Sequence, residues 1–145
     1  MRKFAVLVAA GVVFTALPSL AQTVGTCPRG GGANQPPPVR ILFDLGSSQI
    51  RPPEKPVIIQ AVKTAKDRQV SAVCVIGHTD KLGDKAFNEK LARARAQAVG
   101  AEMVHAGYPG KNITIVADPE AFSSMDFGSR DASDIDRKVT IFYAR

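Results

Sequence analysis

The sequence has few of the residues on which catalytic, metal-binding and disulfide-rich proteins depend. Two Cys in 145 residues are too few for a disulfide-dense scaffold, and two His without a Cys/His cluster at ligand spacing form no metal site. Twelve Gly and ten Pro are too few for a collagen-like repeat or a wholly disordered chain. The length is that of one small domain, which excludes a multidomain enzyme. We therefore expect no catalytic residues, no metal and no cofactor.

The first 21 residues have the composition of an export signal. Two basic residues precede an apolar run that extends to Leu17, and small residues stand at Ser19 and Ala21. This order is typical of a secretory signal peptide cleaved after Ala21. A transmembrane anchor is the alternative, but the run is short for a span of about 20 apolar residues and meets Pro18. No Cys stands at the cleavage point, so we expect neither lipid attachment nor a transmembrane span in the mature chain.

The net charge of +6 suits nucleic acid, an anionic membrane surface or an acidic polymer. Without Arg2 and Lys3, 17 basic side chains face 13 acidic ones, so the exported chain keeps a charge of +4. An exported protein does not meet nucleic acid in its working compartment. We therefore predict a periplasmic protein, associated with the cell wall or with the outer membrane through a partner, and no nucleic-acid ligand.

The exported part divides into a linker and a domain. Residues 22–38 contain three consecutive Gly and three consecutive Pro with almost no apolar periodicity, which predicts a linker. Residues 39–145 show strand and helix periods in turn. We predict strands at about 39–44, 70–76, 113–116 and 139–143, and helices at about 54–68 and 84–105. The connector 118–137 also allows a short helix near 119–125.

Apolar side chains at helical spacing give each predicted helix an expected buried stripe. The stripe of the first helix consists of Val57, Ile58, Ala61, Val62 and Ala65, and that of the second consists of Phe87, Leu91, Ala94, Ala98 and Ala101. Asp84 is placed to cap the second helix, and Gly107 to end it. The order β-α-β-α-β-(connector)-β predicts an α/β two-layer sandwich, a mixed sheet with both helices packed on one face.

One stretch carries a specific motif. Between Gly77 and Val99, ten residues follow a fixed spacing: Gly77, His78, Thr79, Asp80, Gly83, Asn88, Leu91, Arg95, Ala96 and Val99. This pattern resembles the OmpA-like domain, whose members carry G-[HY]-T-D-x-x-G followed by N-x-x-L-S-x-x-R-A-x-x-V. The resemblance extends over 39–145. It includes Phe43 and the segment 136–139, which is similar to the family's N-R-R-V.

The resemblance implies peptidoglycan as the ligand, bound without catalysis through the diaminopimelate of the stem peptide. In the family an Asp accepts from the diaminopimelate ammonium and an Arg clamps its carboxylate, roles that fall here on Asp80 and Arg95. The planar Arg fork matches a carboxylate. Asn88 lies seven residues before Arg95, on the same helix face. Thr79 and Arg137, at other motif positions, are assigned to the same site.

Three positions depart from the family pattern. The Ser after the motif's Leu is Ala92, which removes a hydroxyl from the face shared with Asn88 and Arg95. The Asn of N-R-R-V is Asp136, and its second Arg is Lys138. These changes predict an affinity or a stem-peptide selectivity different from that of typical members.

Structural roles are the alternative for several of these residues. Asp80 is also suited to cap the second helix or to form a turn, and Arg95 to be a solvated helix charge. His78 is best explained as a residue that shapes the loop. Cys27 and Cys74 allow two states: a disulfide, which would stabilise the fold by about 4 kcal/mol in the chain-entropy model, or a free thiol at Cys74 within a buried strand.

Three function classes follow from the sequence. The first is a peptidoglycan-binding module of the cell envelope. The second is a periplasmic interaction protein of an envelope assembly with a modified or weak wall site, in which the segment from Cys27 to Pro38 docks a partner protein. The third, a wall hydrolase, requires a nucleophile or metal constellation that the sequence lacks.

Overall fold

A computed structural model describes residues 35–79, 84–117 and 137–144, together with Cys27 and the backbone of Thr23–Val24. The predicted signal peptide, most of the predicted linker and the connector with its candidate helix at 119–125 lie outside these residues. Two helices and five strands are present in the described part of the chain: β1 (Thr23–Val24), β2 (Val39–Leu42), α1 (Lys55–Asp67), β3 (Ala72–Gly77), α2 (Lys85–His105), β4 (Ile113–Ala117) and β5 (Lys138–Ala144).

Helix α1 begins where proline is tolerated. A short 3-10 turn, Pro52–Glu54, leads into it, and Pro56 follows at a position whose N–H needs no helical partner. The predicted stripe is buried except for Val57, which is 38% exposed. The side chains that face the core begin one position later, at Ile58. The buried side chains are all apolar: Ile58, Ala61, Val62 and Ala65.

Helix α2 has both of its predicted ends. The Asp84 carboxylate accepts a hydrogen bond from the Ala86 N–H at 2.9 Å, the expected cap. At the other end Gly107 adopts φ +89°, its N–H donates to the Val104 carbonyl, and the Tyr108 N–H donates to the Met103 carbonyl. This pair of bonds is a Schellman motif, which explains why the helix ends at a glycine.

The predicted apolar stripe of α2 is wrong. Phe87 is 59% exposed, and none of the other four members is fully buried. The face that packs on the sheet instead contains Asn88, Ala92, Arg95, Ala96, Val99, Gly100 and Met103. The buried face includes two polar side chains, Asn88 and Arg95, so apolar spacing alone did not identify it.

The five strands form one mixed sheet in the order β1-β4-β3-β5-β2. Strands β1, β4 and β3 are parallel, and β5 is antiparallel to both β3 and β2. The predicted two-layer α/β sandwich is confirmed, and so are its four strands with small shifts of their ends. The added strand is β1, which lies in the predicted linker; it escaped prediction because two residues show no periodicity and their partner lies about 90 positions away.

The core lies between the sheet and the helices. Val73 and Val75 of β3 point into it together with β5 side chains, whereas Cys74 and Ile76 point to the other face. Two buried tyrosines belong to this core and satisfy their hydroxyl groups by hydrogen bonds. The Tyr108 hydroxyl donates to the Val70 carbonyl, and the Tyr143 hydroxyl donates to the Ala61 carbonyl. Burial raises the pKa of both hydroxyls because it disfavours the phenolate.

The two cysteines are joined in a disulfide, with their Cα atoms 5.8 Å apart. Cys74 is 1% exposed, on the face of β3 that points away from the helices. Of the two states that the sequence allows, the structure adopts the bonded one.

Candidate functional site

The strand directions bring two loops to one edge of the sheet. Because β2 and β3 both run antiparallel to β5, both end where β5 begins. Backbone hydrogen bonds of 2.9 Å join them there: the Phe43 N–H donates to the Arg137 carbonyl and the His78 N–H to the Lys138 carbonyl. The segments that follow β2 and β3 therefore lie on either side of the first residues of β5.

Helix α2 crosses very close to this edge. A Cβ atom added to Gly77, the last residue of β3, would overlap the carbonyl oxygen of Ala92. Only glycine permits this approach of helix backbone to strand backbone. It explains why glycine begins the G-H-T-D motif, and it places the 88–95 face of α2 against the two loops.

Arg95 stands at the centre of the arrangement and is 1% exposed. Its Nε donates to the Ser47 carbonyl at 2.8 Å, Nη2 to the Asp44 carbonyl at 3.1 Å and Nη1 to the His78 carbonyl at 3.3 Å. The guanidinium carbon lies 5.4 Å from the centre of the Phe43 ring. One side chain thus holds the segments after β2 and β3 against α2.

The energetics of this contact are those of a buried cation. Arg keeps its charge in proteins, and an enclosed charge requires hydrogen-bond partners. Three backbone carbonyls accept from three of its five N–H groups, and the Phe43 ring adds a cation–π contact. The alternative of a solvated helix charge is therefore excluded for Arg95. Its positive charge lies beneath the loops in surroundings that screen it less than water does.

The segment 44–48 belongs to this edge, although the sequence analysis gave it no part in the site. The Ser47 N–H closes the turn on the Asp44 carbonyl at 3.1 Å, and Gly46 takes φ +66°. The Asp44 carboxylate is 72% exposed and lies 3.9 Å from the Arg51 guanidinium. In the sequence, polar residues directly after a strand were the one indication that this segment could belong to the site. The strand order is needed to place them beside the motif.

Three other predicted site residues lie near Arg95 in the fold. Thr79 is 5% exposed, and its hydroxyl oxygen is buried with no hydrogen-bond partner among the described residues. Asn88 is 8% exposed on the same face of α2 as Arg95. Arg137 is half-buried at the start of β5, where its carbonyl bonds to Phe43. The structure thus gathers Thr79, Asn88, Arg95 and Arg137 at one edge of the sheet.

Other predicted features are placed differently or lie outside the described residues. Asp80 and Asp136 are both outside them. His78 acts through its backbone, whose N–H and carbonyl bond to β5 and to Arg95, in agreement with a loop-shaping role. The described residues contain no group of three His, Cys, Asp or Glu side chains suited to a metal ion.

The chemistry available at this edge is that of binding. A buried guanidinium supplies fixed positive charge for an anionic group, and the buried Thr79 hydroxyl supplies one donor or acceptor. The start of α2 offers less to an anion than an uncapped helix would, because the Asp84 carboxylate already accepts from the Ala86 N–H.

Comparison with known proteins agrees with this description. The family model described as the OmpA family matches residues 42–138. Among curated proteins, outer membrane protein A of Shimwellia blattae is 33% identical over 76 residues, which are 51% of this chain and 32% of that protein. The chain spans less than half the length of the curated relatives it matches.

Two solved structures show the same fold. The OmpA-like domain of FopA1 from Francisella tularensis superposes with a TM-score of 0.65 at 21% identity and covers 72% of this chain and 69% of that one. The peptidoglycan-associated lipoprotein of Burkholderia pseudomallei gives 0.62 at 21% identity, with 72% and 89% covered. No helix within the described ranges is long and apolar enough to span a membrane.

Proposed function

The chain belongs to the OmpA family, and on this basis we propose that it binds peptidoglycan non-covalently, through the diaminopimelate of the stem peptide, and catalyses no reaction on it. The observation that carries the proposal is the enclosed guanidinium of Arg95, held by the carbonyls of Asp44, Ser47 and His78, which follow β2 and β3. A relative of the same fold is named as a peptidoglycan-associated lipoprotein, which supports a wall ligand.

The free end of diaminopimelate carries an ammonium and a carboxylate, and the proposal gives each a partner. Arg95 attracts the carboxylate, with its orientation already set by its carbonyl bonds, so little ordering is needed on binding. Asp80, four residues before the cap of α2, accepts from the ammonium. Thr79, Asn88 and Arg137 contribute polar contacts around the pair.

Ala92, which stands where the family motif has Ser, has a limited effect on ligand binding in this proposal. Ala92 is fully buried, and its backbone contacts the end of β3 at Gly77. The hydroxyl of a serine there would support neighbouring groups more than it would meet the ligand. We infer that the site retains affinity despite the departure from the family motif.

The proposed setting is the periplasm, with the module contributing to envelope anchoring or integrity. We infer that a partner protein in an envelope assembly links the module to the outer membrane. The charge of +4 expected after signal cleavage favours approach to an acidic wall polymer.

The test is cosedimentation of the exported protein with purified sacculi of the diaminopimelate type and, in parallel, of the lysine type, whose stem peptide lacks the second carboxylate. We expect the protein to pellet with the first and to bind the second at least tenfold more weakly. Equal binding to both would reject the diaminopimelate assignment. Release of soluble wall fragments would reject the non-catalytic one.

Matched variants test the residues. Asp80→Asn removes a carboxylate charge with no change of shape, and we expect at least a tenfold loss of binding. Asp84→Asn makes the same change four residues away and keeps a good capping side chain, so binding should persist. If the two variants bind alike, Asp80 is not the ammonium partner.

A wild-type protein that ignores both kinds of sacculi but copurifies with an envelope protein would support the interaction-module alternative. The described residues favour that alternative less than the sequence does. Cys27, at the start of the proposed docking segment, is bonded to Cys74 in the sheet.

A further inference from the structure

The part of the chain from β1 to Cys27, called here the N-terminal segment, is attached to the sheet at two points. β1 pairs in parallel with β4 through Thr23 and Val24, at the outer edge of the sheet. Three residues later, Cys27 is bonded to Cys74 of β3, one strand further in. Because Val73 and Val75 point to the helices, this bond lies on the opposite face of the sheet.

The two attachments differ greatly in strength. A two-residue strand makes very few ladder hydrogen bonds, and short pairs of strands are marginal without further support. The disulfide keeps β1 close to β4 whether or not those bonds are formed, so it raises the effective concentration of β1 at that edge. The pairing of β1 with β4 therefore depends on the bond between Cys27 and Cys74.

We propose that the Cys27–Cys74 disulfide is a redox-controlled latch that holds β1 on β4. In its oxidised state the latch keeps the N-terminal segment on the sheet and covers the edge of β4. In its reduced state β1 leaves and the β4 edge is exposed.

The exposure of the two sulfurs determines how the latch opens. Cys27 is a half-buried residue, whereas Cys74 is 1% exposed, so Cys27 is the side of the bond that is more open to an attacking thiolate. A dithiol reductant attacks that sulfur and forms a mixed disulfide, and Cys74 leaves as a thiolate that takes up a proton. The second thiol of the reductant then displaces Cys27, so the protein gains two electrons and two protons while the dithiol becomes a cyclic disulfide.

Opening the latch leaves the candidate site intact. Cys74 precedes His78 by four residues of extended chain, about 13 Å, and it faces away from α2 and Arg95. The bonds between Arg95 and the carbonyls of Asp44, Ser47 and His78 include no atom of the N-terminal segment. The latch is thus independent of the proposed wall binding.

Hydrogen exchange read by mass spectrometry tests the proposal on the exported protein before and after treatment with dithiothreitol. Reduction should accelerate exchange at least tenfold in the peptide containing 23–27 and at the β4 amides that face β1. Peptides from β5 and from the centre of α2 should accelerate by a smaller factor, because there reduction removes only the constraint that the bond places on the unfolded chain. The Cys27→Ser variant should show the reduced pattern without reductant and should not respond to dithiothreitol.

Two results would overturn it. Unchanged exchange at 23–27 and in β4 after complete reduction would show that β1 holds its place without the bond. Acceleration by the same factor in β5 and α2 as at 23–27 would show that the disulfide acts on the whole fold and has no separate effect on β1.

Discussion

The two helices cover the same face of one sheet, but they bury different chemistry. Helix α1 buries four apolar side chains and presents its charges to water, where Lys63 and Asp67 pair at 2.6 Å. Helix α2 buries Asn88 and Arg95 among its apolar residues and leaves Phe87 exposed. Helix α1 therefore contributes to the core alone, whereas α2 contributes to the core and also forms one wall of the candidate site.

Because of this difference, residues of α1 contribute to stability alone, whereas residues of α2 contribute to stability and to ligand recognition. We expect that a residue of α1 can lose volume without disturbing the segments at the edge of the sheet. The polar residues of α2 do both tasks, because Arg95 holds the segments that would face a ligand. Substitutions on the two helices should therefore have different effects on unfolding and on sacculus binding.

The largest effect should come from Gly77→Ala, which separates α2 from β3. Its Cβ would overlap the Ala92 backbone, and two backbones cannot adapt as a flexible side chain can, so we expect a loss of at least about 4 kcal/mol. Gly46→Ala is the control: φ is +66°, but the added Cβ would meet no described atom within 4 Å apart from its chain neighbours, so a loss of about 1 kcal/mol is expected. Urea unfolding measures both, and equal losses would contradict the close approach.

On α1, Ile58→Ala should reduce the free energy of unfolding by about 3 kcal/mol, because it leaves a cavity at a fully buried position. Sacculus binding by the folded protein should stay within twofold of wild type. Ile59→Ala, at a neighbouring position that is 53% exposed, should change stability by less than about 0.5 kcal/mol. A loss of binding in folded Ile58→Ala would end the functional distinction between the helices.

Arg95→Lys should affect stability and binding together. Lys keeps the charge but cannot reach three carbonyls as the planar fork does, so we expect a loss of about 2 kcal/mol in stability. Binding to sacculi, measured on protein shown to be folded by circular dichroism, should fall at least tenfold. Arg93→Lys changes a partly exposed ion pair with Glu89 and should leave both measurements near wild type. Full binding by Arg95→Lys would remove Arg95 from the proposed site.

The smallest effect should be that of Phe87→Ala, at less than about 0.5 kcal/mol, because the ring is 59% exposed. Met103→Ala, at a fully buried position of the same helix, should cost about 3 kcal/mol. Thermal and urea unfolding measure both changes. A larger loss of unfolding free energy at Phe87 than at Met103 would show that the apolar stripe predicted from the sequence is the buried one.

The elements that sequence reasoning identified correctly are those with a strong local signal. Val39–Leu42 alternates, α1 repeats its apolar residues at helical spacing, and Asp84 and Gly107 mark the ends of α2. Local pattern failed where a distant contact decides. The inward direction of Arg95 depends on carbonyls 17 to 51 positions away, and β1 depends on β4 and on a disulfide.

The candidate site was predictable only as far as the motif extends. The positions of Thr79, Asn88 and Arg95 follow from the motif, and the structure gathers them. The contribution of 44–48 does not follow from it, because it requires the knowledge that β2 and β3 are oriented alike and end at one edge. Neither periodicity nor composition contains that orientation.

The bond between Cys27 and Cys74 also determines the path of mechanical load through the protein. It closes a covalent ring that contains β2, α1 and the first half of β3. A pull on the N-terminal end passes from Cys27 across the sulfurs to Cys74, in the middle strand of the sheet, and on toward α2. Residues 28–73 carry none of that tension, so the oxidised chain can be stretched without extending α1 or β2.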